Sequence, residues 1–111
     1  MKRLHLKQSQ RTSMRDWQHR IANWKLTRNE KYPIERHLMQ LHEEVAEVGK
    51  ELRNGRKVNE VYLGKHGKPE GFGIELAQVV RQALWIAEVC GLDLEALMEK
   101  DMAYQESRRV R

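Results

Sequence analysis

The chain has a single cysteine among its 111 residues and no apolar run near the ~20 residues that a membrane-spanning helix needs. Cys90 cannot form an intrachain disulfide. Lying in the apolar stretch Trp85-Ile86-Ala87-Glu88-Val89-Cys90, it reads as a buried small hydrophobe with no base partner to activate it. Nothing therefore calls for an oxidising compartment. The basic opening stretch, MKRLHLKQSQR, carries no apolar segment of signal-peptide length, so the expectation is a soluble, unprocessed, cytoplasmic protein without membrane partners. Internal repeats and low-complexity tracts are missing, as is a Gly-x-x-x-x-Gly-Lys-Ser/Thr phosphate loop. The five histidines, at 5, 19, 37, 42 and 66, include no i, i+4 pair. His42-Glu43-Glu44-Val45-Ala46 begins like a zinc-protease helix, but Ala46 stands at the second ligand position and excludes that chemistry.

What is present suits one small domain. Hydrophobic residues make up 40% and charged residues 33%, enough for one core under a heavily charged surface. Twenty-one Lys and Arg against sixteen Asp and Glu leave a net charge of +5, a bias toward phosphates and other anions.

Residues 1–12 are basic and aperiodic and read as a flexible arm, with a single all-α domain over 13–111. Met14, Trp17, Ile21 and Trp24 recur at spacings of three and four, placing both tryptophans in the core stripe of a first helix that ends before Asn29. Pro33 suits the first turn of a second helix. Its stripe, Ile34, Leu38, Leu41, Val45, Val48 and Leu52, is the strongest periodic signal in the chain, and Asn54-Gly55 ends it. Residues 54–73, with five glycines and the short apolar patch Val61-Tyr62-Leu63, form a long connection with a brief extended stretch. A third helix over 74–90 places Leu76, Val80, Ala83 and Ala87 on one face, and Gly91 closes it. Asp93 caps a fourth helix that runs through Leu94, Met98 and Met102, with Leu92 and Leu97 spaced as a hydrophobic staple. Four helices and no strand pattern predict a four-helix, bundle-like, all-α domain.

The second helix carries Glu43, Glu44, Glu47 and Glu51 beside its apolar stripe. At 100° per residue, Glu44 lies about 60° and Glu47 about 120° from Leu41, at the edge of a core, and Glu75 lies about 100° from Leu76 on the third helix. Packing the two helices together would bring Glu44, Glu47 and Glu75 to one cleft. Carboxylates that close repel unless a cation neutralises them, and an all-oxygen set selects Mg²⁺ or Mn²⁺ over zinc. A Glu-rich helix face is also ordinarily a solvated one, so spacing alone leaves both readings open.

Glu43-Glu44-Val45-Ala46-Glu47, followed after the glycine-rich connection by Glu75-Leu76-Ala77-Gln78, resembles the EExxE and ExxD motifs of the MazG-like all-α nucleoside triphosphate pyrophosphohydrolases. Lys68-Pro69-Glu70-Gly71, the Gly91-Leu92-Asp93-Leu94 turn, and Tyr104 with Arg108 are similar to one branch of that family, over about residues 14–108. The resemblance implies hydrolysis of a nucleotide between its α and β phosphates, with Mg²⁺ held by Glu44, Glu47, Glu75 and the residue at 78, and Glu43 as a supporting carboxylate or water-orienting base. It implies substrate contacts from Lys68, Lys100, Tyr104, Gln105 and Arg108, and a homodimer or homotetramer. Two positions depart from the pattern. Gln78 stands where Asp is expected, removing one negative charge from the metal site, and Asp101 stands where a phosphate-binding Lys is expected, with Lys100 beside it.

Trp85 lies about 180° from Leu76, with Ile74 and Val89 on the same side, which gives the third helix a second apolar strip. Burial of that strip against another subunit is expected, the alternative being that the first helix or the 54–73 connection folds over it. Two other function classes compete with the enzyme: a relative that binds nucleotides without hydrolysing them, and a basic nucleic-acid-binding module built on Lys2, Arg3, Lys7, Arg11, Arg15, Arg20, Arg108, Arg109 and Arg111. The acidic second helix has the wrong sign for contact with a phosphate backbone, which disfavours nucleic acid.

Overall fold

Local signals in the sequence set the helix ends. Ser13 accepts a hydrogen bond from the Asp16 backbone N–H at 3.1 Å while its own N–H donates to the Asp16 carboxylate at 3.2 Å, a reciprocal cap that starts α1 (Met14–Leu26). Pro33 precedes α2 (Ile34–Arg53), which closes with Arg56 N–H donating to Glu51 C=O and Gly55 N–H to Leu52 C=O. The same pair of bonds ends α3 (Phe72–Val89), from Leu92 to Ala87 and from Gly91 to Glu88, with Gly91 at φ 68°. Asp93 then caps α4 (Leu94–Ser107) by accepting from Ala96 N–H at 3.2 Å. These facts come from a computed structural model describing residues 12–26 and 33–109; the arm expected over 1–12 lies, but for Thr12, outside the described residues.

The connection between α2 and α3 contains a small antiparallel hairpin, β1 (Tyr62–Leu63) pairing with β2 (Pro69–Glu70) around a 3-10 turn at Lys65–Gly67. Gly71 joins β2 to α3 at φ 137°, and a side chain there would collide with the Glu60 carbonyl oxygen. This glycine lets α3 start hard against the hairpin, and its carbonyl accepts from Glu75 N–H at 2.9 Å, fixing Glu75 in the first turn.

The fold is all-α apart from that hairpin, with α3 at its centre. One side of α3 packs on α2, the other on α1, and α4 lies against α1. Between α1 and α3 sits the apolar core of Ile21, Ala22, Leu84 and Trp85, flanked by Met14 and Leu94. Gln18, 3% exposed, stitches this side together. Its amide nitrogen donates to Glu88 Oε1 at 2.9 Å and to the Leu92 carbonyl at 2.7 Å, and its oxygen accepts from Leu94 N–H at 3.4 Å. Arg15 pairs with Asp93 across the same joint.

The expected faces hold only in part. On α3, Ala87 of the expected face is buried and Ala83 half-buried, whereas Leu76 is 48% and Val80 51% exposed, and Leu84 and Trp85 are buried beside them. Of the strip opposite Leu76, Trp85 is covered from within by α1 and edge-on by His37 of α2, and supplies no subunit contact, while Ile74 is half-buried and Val89 exposed. The α1 stripe is only partly interior: Ile21 is buried, but Trp17 and Trp24 are about two-fifths exposed, at 42% and 40%. Cys90 is exposed, one residue past the end of α3, and is not the buried hydrophobe expected from its apolar neighbours. No residue of α4 is buried.

This difference has a measurable consequence. Leu84→Ala should lower the unfolding free energy by ~2–5 kcal/mol in urea, whereas Leu76→Ala, with half its surface already in water, should cost less than ~1 kcal/mol. The reverse order would restore the face expected from periodicity.

Candidate functional site

The α2 face that meets α3 is largely polar. His37 and Glu51 are its two buried residues, with Gln40 and Glu44 half-buried between them. The apolar stripe is split: Ile34, Leu41 and Val48 are half-buried, while Leu38, Val45 and Leu52, each next along the chain from 37, 44 and 51, are exposed, so the interface is centred nearer the glutamate flank than periodicity predicts. Across from it, α3 presents Gln82, Gln78 and Glu75. Gln82 is buried and donates to the His37 carbonyl at 3.0 Å and to Gln40 Oε1 at 3.3 Å.

One turn along, Glu44, Glu75 and Gln78 meet. With its carboxamide nitrogen turned toward them, Gln78 donates to Glu44 Oε2 at 2.8 Å and to Glu75 Oε2 at 2.9 Å. Glu75 is 5% exposed. Burial pushes its carboxyl above the usual carboxylate range, the Glu44 charge pushes the same way, Lys68 opposes, and Glu47 and Glu51 add smaller upward contributions. The seam ends at Glu51, both of whose oxygens accept from the Tyr62 hydroxyl at 2.9 Å. That bond holds the phenol of Tyr62 above its ordinary pKa. Arg56 stacks 3.9 Å from the Tyr62 ring centroid and pairs with Glu60 at 3.0 Å, so the hairpin is tied to the C-terminal end of α2.

Beside this cleft opens a groove of about 790 Å³. Its walls are Trp17 and Ile21 from α1 and Ile74, Ala77 and Leu84 from α3, with Lys68, Gln78 and Arg81 as polar groups. Gln78 therefore borders both the acidic cleft and the apolar groove, and Lys68 acts on both.

Of the residues singled out in the sequence, Glu44, Glu75 and Gln78 come together, and Glu47, exposed on α2, adds its charge to the same field. Glu43 is exposed, and so is His42. Lys68 lies at the groove. Lys100, Tyr104 and Gln105 on α4 and Arg108 just past its end are all exposed, away from the groove walls; Arg108 donates to the Tyr104 hydroxyl at 2.9 Å, so these two form a unit of their own. Sequence reasoning missed the roles of Tyr62, Trp17 and Arg81. Glu51 had a signal, seven residues from Glu44 and so on the same helix face; Trp17 and Arg81 had none, since their meeting depends on how α1 crosses α3.

The donor set allows a test of fit for a divalent cation. Among the described residues no three Asp, Glu, His or Cys side chains converge closely enough to hold a metal. What converges is two carboxylates and one carboxamide, and a half-turn of that carboxamide would set three oxygens facing one another, an arrangement that a cation, or a proton on a carboxyl, would relieve. The residues present fit a hard cation held by Glu44, Glu75 and Gln78. No helix of the described residues is long and apolar enough to cross a membrane. Comparisons with protein-family models, with curated proteins and with solved structures return no match.

The raised Glu75 carboxyl carries a pH signature. The folded protein holds this proton more tightly than the unfolded chain, so Glu75 weakens stability as pH rises from the ordinary carboxylate value through its own raised one. Acid reverses the loss. In metal-free buffer, Glu75→Gln should therefore gain more stability over the wild type at neutral pH than at about pH 4, measured by chemical denaturation. An equal gain at both would show that Glu75 titrates normally.

Proposed function

We propose that this protein is a Mg²⁺-dependent nucleoside triphosphate pyrophosphohydrolase of the MazG-like type. The observation that carries the reading is the meeting of Glu44, Glu75 and Gln78 across the α2–α3 seam at the mouth of an apolar groove. The EExxE and Glu-x-x-Gln spacings support it, since they place the same residues in the family's metal site. Glu44, Glu75 and Gln78, with Glu47 from the next turn, would hold Mg²⁺ (or Mn²⁺), which when bound neutralises phosphate charge and lowers the pKa of a water.

The chain's own groups supply the remaining needs of the reaction. Lys68 and Arg81 offer positive charge to the phosphates, and Trp17, Ile21, Ile74 and Leu84 offer an apolar wall to a base. A water oxygen bonds to the α-phosphorus, the bond from that phosphorus to the bridging oxygen breaks, and pyrophosphate leaves with the bridging oxygen. The attacking water must lose a proton, and the exposed carboxylate Glu43, outside the Gln78 bridge, is the available base. The four α4 residues of the resemblance, Lys100, Tyr104, Gln105 and Arg108, belong to this reading only if a second protomer brings them to the groove.

A second copy also answers a packing deficit. Among the described residues few apolar side chains are buried, while Leu38, Val45 and Leu52 form an exposed row along α2. A homodimer or homotetramer that buries this row is therefore part of the proposal, with the interface on α2 instead of at Trp85.

With Mg²⁺ or Mn²⁺, the purified chain should release pyrophosphate from at least one member of a panel of canonical and modified nucleoside triphosphates. Glu47→Gln should cut that rate at least ~100-fold. An unchanged rate would remove Glu47 from the site, and binding without turnover across the panel would select a non-hydrolysing relative. Light scattering at micromolar concentration should give a mass above one protomer, and Val45→Glu should reduce it to one. A monomeric wild type would reject the oligomer.

A further inference from the structure

We infer that Gln78 is a two-position element that lets the same cleft exist with and without a cation. It rests on the divalent-cation part of the reading above and is independent of nucleotide hydrolysis. With nitrogen inward, the carboxamide donates to Glu44 Oε2 at 2.8 Å and Glu75 Oε2 at 2.9 Å and takes the place of a positive charge between them. With oxygen inward, after a half-turn about Cγ–Cδ, it offers a third oxygen at the same point. No heavy atom has to change place, because the two ends of a carboxamide are nearly equal in size and differ only in whether they donate or accept.

The surroundings make the first position necessary. Glu75 is 5% exposed, so bulk water cannot screen it from Glu44, and Glu47 and Glu51 add negative charge from the same helix. Lys68 is the counter-charge that acts on Glu75, and it sits at the groove side of the cleft. A carboxylate at position 78 would add a further negative charge to this desolvated cluster, tying the α2–α3 packing to a bound cation. A carboxamide instead closes the seam by hydrogen bonds when no cation is present. The second position has room as well: Gln78 is half-buried and lines the groove, so a nitrogen turned away from the carboxylates faces space open to water or a bound ligand. Metal-free stability and cation binding then oppose each other, since an inward-facing nitrogen must leave before an oxygen takes its place.

The test uses the full chain without nucleotide. The thermal midpoint of the wild type should rise only slightly from EDTA to millimolar Mg²⁺, whereas that of the near-isosteric Gln78→Glu should fall in EDTA by ~5 °C or more and recover with Mg²⁺. A wild type that loses as much in EDTA as the variant overturns the inference. Side-chain amide NMR on the wild type gives a reading that needs no folded Glu variant: the Gln78 NH₂ pair, assigned by its loss in Gln78→Met, should exchange slowly in EDTA and faster as Mg²⁺ is added. A Gln78 pair that does not respond while the protein binds Mg²⁺, or a protein that takes up neither Mg²⁺ nor Mn²⁺, also overturns it. Turnover is not read in either measurement, so a chain that turns Gln78 but hydrolyses no nucleotide keeps this inference and loses the activity.

Discussion

Two carboxylates share one carboxamide inside a helix interface, and the rest of the structure is arranged to permit it. Glu75 is almost wholly withdrawn from water and faces Glu44, a combination that favours protonation or separation unless a donor or cation stands between them. Gln78 supplies the donor, and Gly71 allows α3 to begin where Glu75 falls in its first turn. The residue type at 78 therefore decides whether α2 and α3 can pack without help from solvent ions.

The same constraint explains why α3 has two unlike sides. Toward α1 it buries Leu84 and Trp85 against Ile21 and Ala22, a conventional apolar contact. Toward α2 it buries amides and carboxylates, matched by the His37 carbonyl, Gln40 and Glu44, while Glu51 at the end of the seam is matched by Tyr62 of the hairpin. Hydrogen bonds in such a seam add little net free energy each, but leaving any of these groups unpaired would cost ~1–3 kcal/mol, so the seam selects one register between the helices. Because α2 turns its polar edge to α3, the far half of its apolar stripe, Leu38, Val45 and Leu52, faces outward.

The acidic part of the site was legible because helical spacing is rigid: residues at 44, 47 and 51 must share a flank, and so must 75 and 78. The groove was not. Trp17 looked like a core residue from its period, yet it stands two-fifths exposed at the groove wall, because α1 crosses α3 near Leu84 and Trp85 and leaves the Trp17 end open. Tyr62 reached Glu51 only through the hairpin, and a two-residue strand leaves no periodic trace. The α4 residues show the converse, a motif readable in sequence whose side chains remain on an exposed helix.

By itself the sequence determined where helices start and stop, since caps are local: Ser13 with Asp16, Asn54-Gly55, Gly91 and Asp93 act within a few residues of themselves. It also determined which residues lie on one flank of each helix, since the angle between residues is a property of the helix alone. Which flank faces inward was decided by tertiary structure. Periodicity reports relative angles and carries no information about the neighbour, and a polar flank with matched donors can displace a more apolar one. On α2 the match with Gln78 and Gln82 across the seam turned the helix toward its glutamates, keeping Ile34, Leu41 and Val48 of the apolar stripe half-buried and leaving Leu38, Val45 and Leu52 outside.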